Sequence, residues 1–194
     1  MQQNLFSKFN IYDQLGYLMV GGMTLIITAY DSALLGFKVP SLNLDNSVVW
    51  LIVTYATGHF IQGIANIITR EKKDDFSDEQ KTVLEKARNY FDIKDDDGSI
   101  WNFCYMFTIA KDITGQVQQF NAYYSLYRGW TVIFLLESVF LTFNLIANFS
   151  LTTLLFIISS GICAIIFYWR SKRFWVYLTN KVLQTFVVVT KLGI

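Results

Sequence analysis

About 20 predominantly apolar residues carry a helix across the hydrocarbon core of a bilayer, and four stretches of this 194-residue chain reach that length. They are residues 15–35 (LGYLMVGGMTLIITAYDSALL), 48–69 (VVWLIVTYATGHFIQGIANIIT), 129–149 (GWTVIFLLESVFLTFNLIANF) and 151–169 (LTTLLFIISSGICAIIFYW). A soluble helix bundle can bury one or two such runs, but four in a chain this short leave too little to face water. Composition agrees: 53% of residues are hydrophobic, 17% aromatic and 16% charged, with a mean hydropathy of +0.36. Soluble domains carry roughly 25% charged residues. The single proline suits long unbroken helices. The expected fold is an all-α integral membrane protein with four transmembrane helices. Only Asn148, Phe149 and Ser150 mark the turn between the last two runs, which makes them an antiparallel hairpin.

Lysine and arginine set the expected orientation. Nine fall between Arg70 and Arg128 and five between Arg170 and Ile194, whereas the 31–47 connection holds only Lys38. Both termini and the central insert are therefore expected in the cytoplasm, giving a multi-pass inner-membrane protein. The first run has neither a basic leader nor a small-residue cleavage site, so it reads as a span and not as a signal peptide. Four regions follow: residues 1–69 with spans 1 and 2, a helical insert over 70–128, the hairpin of spans 3 and 4 over 129–169, and a basic amphipathic tail over 170–194.

Within the insert, Ser77 and Gln80 make a capping box for a helix over 78–91. KDDDGS at 94–99 breaks that helix. If Gly98 were the turn glycine of a calcium loop, its last ligand position would fall on Cys104, so the acidic run reads as a solvated turn. IWNFCYMFTIAK from Ile100 is too short to span and reads as a buried or interfacial helix, while QVQQFNAYYSLYRGW continues without a breaker into span 3. Tyr90, Phe91 and Trp101 are aromatics expected to be exposed for a partner. In the tail, Phe174, Leu178, Val182 and Val189 form an apolar face expected to lie in the membrane surface, with Arg170, Lys172 and Arg173 meeting anionic lipid.

Polar residues at membrane depth fall in stripes. His59, Gln62 and Asn66 share a face of span 2, and Glu137, Asn144 and Asn148 share one of span 3. Thr24, Thr28 and Asp31 repeat the pattern in span 1. His59, the only histidine, and Glu137 both lie near mid-span, and the expectation is that they hydrogen-bond, within one subunit or between two. Such stripes serve as interhelical glue for assembly, or as a gating or conducting path. Gly16, Gly21, Gly22, Gly58 and Gly63 are expected to let backbones approach.

No catalytic, cofactor or metal pattern emerges. There is no second histidine, no nucleophile elbow and no phosphate loop, and Cys104 and Cys163 read as free thiols. The chain is not expected to be an enzyme. A formal net charge of +1 provides no excess to neutralise nucleic-acid phosphates.

FNIYDQLGYLMVGG, GHFIQGIANII, FNAYYSLYRGW and RFWVYL together resemble a set of small four-pass bacterial inner-membrane antiphage-defence proteins, among them the membrane component of the Kiwa system. Other four-pass proteins linked to CRISPR or cyclic-oligonucleotide systems are similar. The resemblance implies a homo-oligomer that senses phage attack and signals to a co-encoded soluble cytoplasmic protein. Its alternative is a pore-forming or ion-conducting effector that depolarises the membrane. It assigns no residue a role.

Overall fold

The computed structural model describes residues 10–34, 36, 46–69, 76–111 and 114–192, and among them every regular element is helical. The end of span 1 at residue 35, the connection holding Lys38 and the start of the insert at Arg70 lie outside the described residues. Asn10 and Asp13 open the first helical run by capping each other, the Asp13 N–H donating to Asn10 Oδ1 at 2.8 Å and the Asn10 N–H to Asp13 Oδ2 at 3.3 Å. Asp13–Met19 is wound as a π-helix and passes into α1, Val20–Leu34. Then follow α2 (Ser47–Ile68), α3 (Asp78–Phe91), α4 (Asp97–Lys111), α5 (Gln116–Ala147) and α6 (Leu151–Leu192).

Among the described residues three helices, α2, α5 and α6, are long and apolar enough to cross a membrane. The first run is divided by its change of winding into seven π-helical and 15 α-helical residues, so neither piece has spanning length alone. The chain forms two compact units. One comprises Met1–Thr69 with Ala122–Lys172, the other Arg70–Asn121 with Arg173–Ile194.

In the first unit, glycine sets the closest helix approach. A Cβ on Gly21 would lie 1.8 Å from the Thr54 carbonyl oxygen, and one on Gly58 would lie 2.1 Å from that of Tyr17. No side chain fits there, so α2 meets both α1 and the π-helical segment before it backbone to backbone. Gly129 of α5 closes the same junction, since its Cβ would meet the Val20 methyls at 2.7 Å. Gly63 faces open space and Gly22 makes only ordinary contact. Around this junction Val20, Ile61, Ala65, Leu126, Val132 and Ile133 form the core. Phe167 of α6 packs on Trp130 and Phe134 of α5, positions that lie about equally far from the turn, as an antiparallel hairpin requires.

The second unit joins the insert to the tail. The capping box at Ser77 and Gln80 is complete, and α3 has the expected bounds. Asp92 ends it in the left-handed conformation, and Asp96 opens α4 by accepting the Ser99 N–H at 2.8 Å. Asp97 pairs with Arg88 at 2.8 Å, so two carboxylates of the acidic run serve local structure. The basic tail does not form a separate surface helix as expected; it continues α6 unbroken. Leu178, Val182, Leu183, Phe186 and Val189 are buried, packed into this unit with Leu84, Ile100 and Cys104. Phe186 meets Tyr90, Phe91 and Phe107, and Thr108 donates to the Val182 carbonyl at 3.3 Å. The apolar face that a lipid surface was expected to cover is thus covered by α3 and α4. Burial pushes the Cys104 thiol up to about 12, which keeps it protonated and unreactive.

Two predictions follow from these contacts. Gly21→Ala and Gly58→Ala should each destabilise the detergent-solubilised protein by about 1–3 kcal/mol or more through overpacking. Gly63→Ala should be neutral or stabilising, because helix propensity favours alanine by up to ~1 kcal/mol; thermal midpoints compare them. The Ser99 N–H holds the Asp96 carboxyl below the usual carboxylate range. A carboxylate so depressed stabilises above its unfolded value near about 4 and ceases to as pH falls through its folded value. Asp96→Ala should therefore lower the thermal midpoint at pH 7 but not in strong acid, and Asp96→Asn should retain most of the cap.

Candidate functional site

Four residues on successive turns, Gly58, Ile61, Gln62 and Ala65, form the buried face of α2. Gln62 is the polar member, only 5% exposed. Its Nε2 donates to the Gly16 carbonyl at 3.0 Å and to the Ser125 carbonyl at 2.8 Å. A backbone carbonyl already bonded within a helix keeps a second lone pair. One side-chain amide therefore ties the N-terminal helical run, α2 and α5 together at the point where the glycines bring them close.

His59 and Asn66 lie to one side of this face and are exposed. The His59 ring stacks on Tyr17, with centroids 3.6 Å apart and planes 18° apart, and meets Tyr55 edge-on at 4.6 Å. Tyr55 in turn donates to Asp13 at 3.4 Å. Asn66 accepts a hydrogen bond from Nη2 of Arg128, whose Nε donates to Thr69 Oγ1 at 2.9 Å. The same guanidinium lies over the Tyr124 ring, 4.8 Å from its centroid. This places a cation at the C-terminal end of α2, where the helix dipole favours it. The expected stripe is therefore three separate contacts. Gln62 and Asn66 bond towards α5, and His59 packs against the N-terminal run.

The expected pairing of His59 with Glu137 is not made within the chain. Glu137 lies on the face of α5 turned to α1, and its neighbour is Asp31. Both line a groove of about 320 Å³ between α1, α2 and α5, with Thr24, Thr28 and Ser32 beside them and Ile61 and Leu136 in its walls. The sequence had identified each stripe, but mid-span depth does not fix the rotation of a helix about its axis. That rotation is set by Gly58, Ile61, Gln62 and Ala65, which turn the His59 flank of α2 towards Tyr17. On α5, Asn144 is half-buried and Asn148 lies exposed beyond the helix end, where its N–H bonds the Asn144 carbonyl at 2.8 Å. The two asparagines do not extend the Glu137 site.

In the second unit, Tyr90 is 57% exposed and Phe91 half-buried, but Trp101 is buried and stacks on Tyr105 with centroids 5.3 Å apart. Trp101 is a core residue, contrary to the expectation that it meets a partner, because α4 turns that face towards Trp175. Arg170, Lys172 and Arg173 each lie over a tyrosine ring, those of Tyr127, Tyr168 and Tyr177, at 5.4, 5.4 and 5.8 Å from the centroids. Among the described residues no group of histidine, cysteine and carboxylate side chains has the arrangement of a metal site.

Sequence reasoning missed Ser125, Gly129 and Arg128, which only the packing of α5 brings to α2. Interhelical hydrogen bonds in membranes average about 0.6 kcal/mol and reach about 1.7. Gln62→Leu should thus cost about 1–3 kcal/mol of thermal stability, no more than the glycine substitutions, with Gln62→Asn intermediate. Comparison with protein-family models, curated proteins and solved structures finds no match to this chain.

Proposed function

We propose that this protein is a membrane-embedded scaffold that displays a folded helical unit to a soluble partner. In this reading the N-terminal helical run is a fourth span, and both termini and the insert lie in the cytoplasm, as the excess of Lys and Arg in the insert and tail suggests. The observation that carries it is the second unit itself. An insert serving only to connect spans needs no core, whereas this one buries Leu84, Ile100 and Trp101 together with Leu178, Val182 and Phe186 of the tail.

A folded unit with its own aromatic core offers a fixed surface. Tyr90, Phe103 and Met106 stand exposed on it beside the Phe91–Phe107–Phe186 cluster. Exposed aromatic and methionine side chains near a rigid core are the composition that protein interfaces favour. The motif resemblance to antiphage-defence proteins extends this reading to a homo-oligomeric sensor that signals phage attack at the bacterial inner membrane to a co-encoded soluble protein. A second reading, an ion-conducting effector, draws on the carboxyl-lined groove. It expects Glu137→Gln to abolish a triggered loss of membrane potential.

The scaffold reading is tested in cells carrying the tagged chain and its neighbouring genes. Tyr90→Ala with Met106→Ala should leave membrane insertion intact, lower the thermal midpoint only through the lost Tyr90 ring contacts with the protein still folded, and reduce co-purification of a neighbouring gene product at least tenfold. Undiminished co-purification with the double variant would remove the basis for it.

A further inference from the structure

The groove between α1, α2 and α5 holds a chemical imbalance that neither reading above explains. Asp31 and Glu137 face each other within hydrogen-bonding reach. Glu137 is only 8% exposed, its Oε2 is buried and receives no donor, and Asp31 Oδ1 is likewise buried without one. Ionised carboxylates only accept hydrogen bonds. Two acceptors in contact repel, and in an apolar setting like charges cannot both persist. Of the three hydroxyls beside them, that of Thr24 bonds the Val20 carbonyl at 2.9 Å and that of Ser32 the Thr28 carbonyl at 2.7 Å.

Among the described residues, the titratable groups lining this groove are Asp31 from α1 and Glu137 from α5; α2 contributes Ile61, and no basic side chain of the described residues lines it. The missing element is one positive charge small enough to sit between two oxygens. We propose that Asp31 and Glu137 form a proton-binding site within the membrane, a carboxylic acid donating to a carboxylate. A proton bridges two carboxyl oxygens directly, whereas a metal cation would have to bring water ligands into this largely apolar groove. Such a pair gains or loses its proton as a unit, and on losing it the two like charges drive α1 and α5 apart. The site is independent of whether the chain conducts ions or recruits a partner.

Infrared difference spectroscopy of the full-length protein in lipid vesicles tests it at pH 7. The wild type should show a protonated-carboxyl C=O band that shifts in D2O, corresponding to one carboxyl per chain. Asp31→Asn and Glu137→Gln should each abolish it, because an amide then donates the hydrogen bond and the remaining carboxylate ionises. Thermal midpoints near wild type identify variants that remain folded. Absence of the band in the wild type overturns the proposal. So does its survival in either single variant, which marks a lone protonated acid. Its loss when NaCl replaces choline chloride also overturns it, in favour of a cation site.

Discussion

The backbone contact between α1 and α2 is what the rest of the first unit depends on. Gly21 meets the Thr54 carbonyl and Gly58 meets that of Tyr17 at separations that exclude a single Cβ. Between apolar helices in lipid there is little hydrophobic gain to be had, so close van der Waals contact and interhelical hydrogen bonds must hold them. The short separation brings Gln62 within reach of the Gly16 and Ser125 carbonyls together, and brings Gly129 of α5 against Val20. It also presses the π-helical segment against α2, where Tyr17 stacks on His59.

The second unit is held differently. Its core is aromatic and aliphatic side chains from α3, α4, the start of α5 and the end of α6, with Phe186 at the centre of a ring cluster. Helix caps and one ion pair fix its loops, through Ser77, Asp96 and the Arg88–Asp97 contact. Of its acidic residues, Asp92, Asp95 and Asp96 lie in the short turn between α3 and α4, where Asp96 caps and Asp97 just beyond it forms the ion pair. Residues of α5 and α6 fall in both units.

Local features were legible wherever local physics decides them. The α3 bounds follow from one capping box, and α5 runs unbroken because nothing between Gln116 and Ala147 stops it. Faces were harder. The stripe of His59, Gln62 and Asn66 is real as a helical spacing, but only Gln62 is buried, because Gly58 and Ala65 centre the contact to one side of it. The tail gave the same difficulty in another form. Its period shows an apolar face at Leu178, Val182 and Val189, and both a lipid surface and a protein core satisfy such a face equally well.

By itself the sequence determined the helical class, three of the four apolar runs as helices of spanning length, the cap-limited helix α3 and the polar residues that must find partners at depth. It did so because bilayer thickness and backbone hydrogen bonding act on single segments. The tertiary structure alone decided that Glu137 faces Asp31 and not His59, that Trp101 and the tail are core, and that Ser125, Gly129 and Arg128 belong to the α2 junction. Each of these depends on the rotation of one helix against another, which is set by where glycine removes a side chain on both partners at once. No single segment carries that information.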